Sequence, residues 1–163
     1  MIEQVKTLLI DKFGEEAILR LDEQGLQPIL LVNPDFIVDI CFFLRDTEGC
    51  YFDFLSNISA VDYFPEGRFA VVYHLASIPY QTQITLKVEL DNDRALHRLP
   101  ALPSVSTVWR TADWHEREAY DLMGIFFTGH PDLRRILLPD DWDGYPLRKD
   151  YQDAETYHGI AIK

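Results

Sequence analysis

The chain opens with apolar residues at helical spacing and continues with shorter strand-like runs. Apolar side chains recur at helical intervals over residues 1–13 and Gly14 follows them, so this stretch predicts a short amphipathic helix. Residues 17–21 and 28–32 flank a turn-rich segment, and they predict the two strands of a hairpin.

The next helix is predicted by the residues that open it. Asn33 is a favoured N-cap residue, Pro34 suits the first helical position, and Asp35 places an acid in the first turn. We expect this helix to run to about Arg45 and to turn its apolar face toward the core.

Three strands are predicted over residues 51–63, 68–77 and 81–90. These segments are rich in β-branched and aromatic residues, and turn-forming residues separate them, which favours an antiparallel meander. Helices and strands cluster here rather than alternating in strict βαβ units. The pattern therefore predicts an α+β fold: a two-layer sandwich of a mixed or mostly antiparallel sheet with helices packed on it.

Residues 92–99 predict a helical turn or a short helix, which two prolines then interrupt. The next helix is predicted to start at a cap formed by Thr111 or Asp113. Asp113 and Glu116 have the spacing of a capping box, and Gly124 stands where a left-handed residue ends a helix.

This last helix has one apolar and one ionic face in projection. The apolar side carries His115, Ala119, Leu122 and Met123. The ionic side carries Trp114, Arg117, Glu118 and Asp121.

After Gly124 the chain runs irregularly to Tyr151 and is rich in Gly, Pro, Arg and Asp. Irregular segments of this length are usually functional or disordered, and the many apolar and aromatic residues in this one argue against disorder. We predict a domain over residues 1–124 and an extended C-terminal arm over residues 125–163, which belongs to the same unit and contacts partner subunits.

The charges of this region have two interpretations. Arg117 and Asp121 are four residues apart and can form a local, solvated pair. Alternatively, carboxylates on the helix brace the cations of the arm, or leave them free for a partner; bracing is the favoured of these two. The cations concerned are Arg134, Arg135, Arg148 and Lys149.

Composition excludes several function classes. The 163 residues suit one domain, and a formal net charge of −12 argues against binding to nucleic acid or anionic lipid. No stretch resembles a leader or a bilayer-spanning helix, so the chain is expected to be soluble and not exported. Cys41 and Cys50 cannot by themselves supply the ligands of an iron–sulfur cluster or structural zinc site, and we expect a reducing cytosol.

Catalytic signatures are weak. His115 and Glu116 resemble the start of a metalloprotease helix, but Ala119 occupies the position of the second histidine. His130 with Asp132 is a possible acid–base pair, although a histidine in such a turn is more often structural. The sequence shows no active site, and a metal-dependent hydrolase using His115, Glu118 and His130 is the least favoured hypothesis.

Three blocks carry a resemblance to a known family. Residues 114–125 read WHEREAYDLMGI, residues 129–137 read GHPDLRRIL, and residues 144–151 read GYPLRKDY. In this order and spacing they resemble the signature of the family that supplies the C subunit of respiratory complex I. This is the thirty-kilodalton subunit of NADH:quinone oxidoreductase, to which the J subunit of the cyanobacterial and plastid enzyme (NDH-1) is closely related.

The resemblance implies a subunit that binds no cofactor, in the peripheral arm of a proton-translocating oxidoreductase. The complex is expected to use NADH, FMN, Fe-S clusters and quinone. The chain, not catalytic by itself, would support assembly of the quinone-reducing module. The D subunit is the expected main partner, with the B and I subunits nearby. The location implied is peripheral, on the cytoplasmic face of the inner or a thylakoid-type membrane, with membrane association only through the complex.

The alternative is the equivalent subunit of a related membrane-bound hydrogenase or ferredoxin-dependent quinone oxidoreductase. Two departures from the family pattern are present: Arg110 replaces a common proline, and the tail after Tyr151 is short. We expect a free-standing subunit, not one fused to the D subunit.

The resemblance also implies which residues form the partner interface, with arm cations bonded to the partner and aromatic side chains in its pockets. The implied set is Glu116, Arg117, Glu118, Asp121, Gly124, Gly129, His130, Pro131, Asp132, Arg134, Arg135, Trp142, Gly144, Pro146, Leu147, Arg148, Lys149, Asp150 and Tyr151.

Overall fold

A computed structural model describes residues 2–162 of the chain. Its helices are α1 (Ile2–Phe13), α2 (Ile37–Asp46) and α3 (Ala112–Met123). Its strands are β1 (Ile18–Asp22), β2 (Ile29–Val32), β3 (Phe54–Asp62), β4 (Arg68–Ser77), β5 (Thr82–Asp91), β6 (Ala101–Pro103), β7 (Phe126–Thr128), β8 (Thr156–Tyr157) and β9 (Ile160–Ala161). Short 3-10 turns at Glu15–Ala17 and Pro34–Phe36 lead into β1 and α2.

Five strands form the main sheet in the order β1-β2-β5-β4-β3. The β1–β2 hairpin and the β3–β4–β5 meander are antiparallel, as predicted, and β2 joins β5 in parallel. The sheet is therefore mixed, because the chain leaves β2 through α2 and returns to its side only at β5. This confirms the α+β prediction.

One hydrophobic core joins the sheet to all three helices. It includes Leu9 of α1, Ile40 of α2 and Met123 of α3. The side chain of Tyr73, from the central part of β4, is completely buried, and Trp109 donates an indole hydrogen bond of 3.1 Å to the carbonyl of Phe52. The helices thus share one apolar layer with the sheet, as a two-layer sandwich requires.

Several local predictions are wrong. Residues 92–99 form no helix but contain one turn, closed by a hydrogen bond from the amide of Arg98 to the carbonyl of Ala95, so the short-helix alternative is wrong. Residues 51–53 lie outside β3. The hydroxyl of Thr111 makes no cap hydrogen bond at the start of α3. Glu116 does not close a capping box, because its carboxylate accepts hydrogen bonds from Ser104 and Val105 instead.

Gly124 ends α3 in the left-handed conformation, as predicted, with φ of 70°. The arm packs directly against it. A Cβ at this position would lie 2.7 Å from the ring of Tyr145 and 2.8 Å from the guanidinium of Arg148. Glycine is therefore required here both for backbone conformation and for close approach of the arm.

Gly124→Ala should lower the free energy of unfolding by about 2–4 kcal/mol, since the left-handed conformation and the collision both carry a cost. Gly129→Ala is the matched control, because Gly129 also has a positive φ (79°) but open space at its Cβ position. That variant should lose only about 1–2 kcal/mol. Urea unfolding of both variants measures the difference, and equal losses would contradict close packing of the arm.

Candidate functional site

The C-terminal arm begins inside the body of the fold. Ile125 and Phe127 are completely buried, and β7 pairs in parallel with β6, a pairing that the sequence did not predict. Further along, the amide of Leu147 donates a hydrogen bond of 2.9 Å to the carbonyl of Leu122 in α3. The arm therefore follows α3 closely; the domain boundary at residue 124 stays a prediction.

Asp121 is the principal contact of α3 with the arm. One carboxylate oxygen accepts hydrogen bonds from the backbone amides of Ile136, Leu137 and Leu138, at 3.0, 2.7 and 2.9 Å. The other oxygen accepts a hydrogen bond of 2.7 Å from Nη1 of Arg135. Burial alone would raise the pKa of Asp121, but the guanidinium and the three amides together hold it below its ordinary value. The buried carboxylate is thus kept charged by donors from the arm.

Arg135 extends this contact across the arm itself. Its Nη2 donates to the carbonyls of Trp142 and Gly144 at 3.0 and 2.9 Å, and its guanidinium lies 5.2 Å from the centre of the Tyr145 ring. One side chain therefore joins α3 to two later parts of the arm.

Arg148 closes the C-terminal end of α3. It is 4% exposed, and it donates to the carbonyls of Met123 and Gly124 at 2.9 and 3.3 Å. Its guanidinium lies between the rings of Phe69 and Tyr145, at 4.9 and 5.0 Å. Burial lowers the pKa of Arg148. A cation at the end of a helix satisfies otherwise unpaired carbonyls and opposes the helix dipole.

A second ionic cluster fixes the arm near Asp150. Arg94 donates to both oxygens of Asp62 at 2.8 and 2.6 Å and to both oxygens of Asp150 at 2.7 and 2.9 Å. Asp62 also accepts the amide of Lys149 at 2.8 Å. Sequence reasoning missed Arg94 and Asp62, since both lie far from the signature blocks.

Arg117 does not form the local pair with Asp121. Its Nε and Nη2 donate to the carbonyls of Arg134 and Arg135 at 3.2 and 3.1 Å, and its guanidinium lies 5.5 Å from the ring centre of Trp114. The bracing interpretation is confirmed for the Asp121–Arg135 pair. Arg117 and Asp121 of the ionic face are covered by the arm, whereas Trp114 and Glu118 of the same face stay exposed.

The four arm cations divide into two pairs. Arg135 and Arg148 are committed to contacts within the chain, whereas Lys149 is exposed. Arg134 is also exposed and pairs with Asp132 at 2.9 Å. Of the four, only Arg134 and Lys149 are exposed enough to reach a partner, and partner contacts made through Arg135 and Arg148 would break the contacts described above.

His130 lies in a turn with its side chain buried. Its ring lies 3.1 Å from the carbonyl of Asp113 and accepts the amide of Asp132 at 3.0 Å. Glu118 is exposed, and no group of three or more His, Cys, Asp or Glu side chains within residues 2–162 is placed to hold a metal ion. The structure does not assemble the hypothesised metal site.

The other signature residues are structural or exposed. The indole of Trp142 donates to the hydroxyl of Tyr151 at 3.2 Å, and Gly144 packs against the ring of Tyr151. Pro146 is half-buried, and Pro131 is exposed.

Large apolar side chains remain exposed where α3 meets the arm. We define the seam surface as Trp114, Leu137 and Leu147, which are 65%, 64% and 56% exposed. Trp114 is in the first turn of α3, the amide of Leu137 is bonded to Asp121, and the amide of Leu147 is bonded to the carbonyl of Leu122. Leu147 also lines a 190 Å³ cavity between α3 and β3. Within the described residues, no helix is long and apolar enough to cross a membrane.

Comparison with known proteins gives consistent matches. Residues 30–157 match the family described as respiratory-chain NADH dehydrogenase, 30 Kd subunit. The NADH-quinone oxidoreductase C subunit of Chloroherpeton thalassium is 47% identical over 98% of the chain, and the chain spans 65% of that relative, just under two thirds. The same-named proteins of Chlorobium phaeobacteroides and Roseiflexus sp. are 42% and 50% identical over 99% and 92% of the chain, which spans 99% and 81% of them.

A solved structure shares the fold. A chain in the membrane-bound sulfane sulfur reductase, described as an archaeal respiratory membrane complex, superposes with a TM-score of 0.73 at 24% identity. The match covers 92% of this chain and 85% of that one.

Asp121→Ala should release residues 136–138 and Arg135 from α3, because it leaves three arm amides and a cation without their acceptor. We expect a loss of about 3–5 kcal/mol in the free energy of unfolding, as for breaking a buried ion pair. Limited proteolysis should cut the arm much faster. Asp132→Ala removes an exposed, solvated pair and should change the free energy of unfolding much less than Asp121→Ala does; equal sensitivity of the two variants would contradict this assignment.

Proposed function

Because the chain belongs to the family of the 30 Kd subunit of respiratory-chain NADH dehydrogenase, we propose that it is the C subunit of an NADH-quinone oxidoreductase. Its role is structural: it supports assembly of the module that passes electrons from NADH through FMN and Fe-S clusters to quinone. The observation that carries this proposal is the apolar seam surface between α3 and an arm that the chain's own charges hold in place.

The redox groups belong to other subunits in this proposal. The two cysteines, Cys41 and Cys50, are buried, and burial raises the pKa of each thiol. Cluster ligation requires deprotonated thiolates, and a raised thiol pKa opposes deprotonation. The chain therefore contributes binding surface instead of an electron-transfer group.

The partner surface comprises the seam and its charged surroundings. Exposed tryptophan and leucine side chains next to rigid backbone are suited to fill pockets of another protein, since little conformational entropy is lost on binding. Arg134, Lys149 and Glu118 lie at the exposed positions of the signature and would supply the polar rim. We propose the D subunit as the main occupant of this surface, with the B and I subunits adjacent.

The proposed location rests on membership of an NADH-quinone oxidoreductase. The chain reaches the membrane only through the complex, on the cytoplasmic face of the inner or a thylakoid-type membrane. It takes part in the coupled, proton-translocating reaction as a component of that enzyme and is not itself catalytic.

Replacing Leu137 and Leu147 together with serine should lower recovery of cluster- and flavin-binding subunits in a pull-down from gently solubilised membranes. We expect a decrease of about tenfold or more, corresponding to about 1.4 kcal/mol of lost binding. The melting temperature should change little, because both side chains are exposed.

Leu26→Ser with Ile78→Ser is the matched control, since these side chains are 106% and 65% exposed and lie in turns distant in sequence from the arm. Its recovery should equal that of the wild type. Equal recovery of the seam variant would reject the seam as the partner surface. Recovery of hydrogenase subunits or of a ferredoxin-dependent complex with the wild-type chain would instead assign the chain to a complex with another electron donor.

A further inference from the structure

Glu116 is a carboxylate buried in the core, and among the described residues no Lys or Arg side chain pairs with it. It is completely buried in the middle of α3. One oxygen accepts the amide of Val105 at 2.7 Å, and the other lies 2.5 Å from the hydroxyl oxygen of Ser104. A charged carboxylate in such a place is costly unless a cation compensates it.

The basic group that faces Glu116 is His130, whose Nε2 lies 3.9 Å from the carboxylate. Its ring nitrogens both have fixed roles. Nδ1 accepts a hydrogen bond of 3.0 Å from the amide of Asp132, so Nδ1 carries no proton. Nε2 therefore carries the ring proton and donates it in a hydrogen bond of 3.1 Å to the carbonyl of Asp113. These bonds select the neutral tautomer of His130, which does not compensate a negative charge on Glu116.

The other titratable groups around Glu116 are not cationic. Asp113 belongs to the same helix, Tyr73 faces the site from β4, and Cys41 faces it from α2. The Tyr73 hydroxyl is buried without a hydrogen-bond partner in the described structure. Burial, reinforced by Asp113, raises the pKa of Glu116 to about 7, despite the opposing hydrogen bonds from Ser104 and Val105. The environment thus favours the protonated acid.

A chain of hydroxyl groups links this carboxyl group to the surface side of the turn. The hydroxyl oxygen of Ser104 lies 2.8 Å from that of Ser106, which is half-buried. The hydroxyl oxygen of Ser104 also accepts a hydrogen bond of 3.1 Å from the amide of Ser106, which orients the turn. Each hydroxyl can both donate and accept a hydrogen bond, so this series of hydrogen bonds can run in either direction.

We propose that Glu116 is a proton-binding site of this chain and that Ser104 and Ser106 form the path by which it exchanges its proton with solvent. During uptake a hydronium ion gives a proton to Ser106, Ser106 gives its own proton to Ser104, and Ser104 gives its own to Glu116. One solvent proton is consumed, one carboxylate becomes a carboxylic acid, and both serines remain neutral. The hydrogen bonds then run from Glu116 to Ser104 and from Ser104 to Ser106.

Protonation at this site would regulate how firmly the fold is held where α3, the turn at residues 104–106 and the start of the arm meet. Protonated Glu116 donates a hydrogen bond to Ser104. Ionised Glu116 must instead be stabilised by two neutral donors, Ser104 and the amide of Val105, in a buried site. The site is independent of the proposed function, because it depends only on contacts within the chain.

The first test compares Glu116→Gln with Glu118→Gln in the full chain, since Glu118 is an exposed glutamate on the same helix. Folding raises the pKa of Glu116 from about 4.5 to about 7, so the folded state binds the Glu116 proton more tightly than the unfolded state does. The stability that this proton contributes is fully present below pH 4.5 and is lost as pH rises through about 7. The unfolding equilibrium constant of the wild type and of Glu118→Gln should therefore rise over this window by about 100-fold or more relative to Glu116→Gln.

Identical pH profiles for the two glutamine variants would overturn the proposal. Infrared spectroscopy of the wild-type chain provides a second readout that does not require a variant to fold. A protonated carboxyl band at pH 6 that disappears by pH 8 and is absent from Glu116→Gln supports the site. Absence of such a band from the wild type at pH 6 would overturn it.

The path is tested by the rate at which this band disappears after a jump to high pH. Ser106→Ala should slow the disappearance about tenfold or more while leaving the midpoint of the titration close to the wild-type value. Thr107→Ala, at the adjacent exposed position, should leave the rate unchanged. An unchanged rate in Ser106→Ala would reject the serine path.

Discussion

The fold of the second half of the chain depends on one buried carboxylate, that of Asp121. It gathers three consecutive backbone amides and a guanidinium from a segment that has no regular secondary structure of its own at that point. Irregular backbone beside a core is stable only if its polar groups find partners. Asp121 supplies these partners to residues 136–138, and Arg135 supplies them to the carbonyls of Trp142 and Gly144.

The other contacts of the arm follow the same principle. Arg148 satisfies carbonyls at the end of α3, and Arg94 joins Asp62 of β3 to Asp150 of the arm. Charged groups therefore link the helix, the sheet and the arm. If one of these elements moved away, a buried charge would lose its partner, which is costly. Arg94, Arg135 and Arg148 are thus used within the chain, and the apolar seam surface lies on a rigid base, from which the proposed function follows.

Regular elements could be predicted from the sequence where periodicity and turn chemistry agreed. The α1 and α2 helices, the β1–β2 hairpin, the meander and the end of α3 at Gly124 all followed from local signals. Bracing of the arm by carboxylates of α3 was one of the predicted alternatives, but the individual partners could not be predicted. The spacing of Arg117 and Asp121 also allowed a local pair, and only the fold shows that Asp121 binds Arg135 and that Arg117 binds arm carbonyls. The contact between Arg94 and Asp62 bridges residues well apart in sequence, and the β6–β7 pairing joins two short strands with no alternating pattern. Glu116 had the spacing of a capping residue, and only the fold shows that Ser104 and Val105 bind it.

The central claim is that the arm is ordered by the chain itself before any partner binds. Amide hydrogen exchange of the free wild-type chain tests this most directly at residues 136–138, whose amides Asp121 accepts. If the arm is held by Asp121, these amides are protected to nearly the same extent as those of α3. Exchange as fast as in an unstructured peptide would contradict it and would mean that the arm takes this form only when a partner covers it.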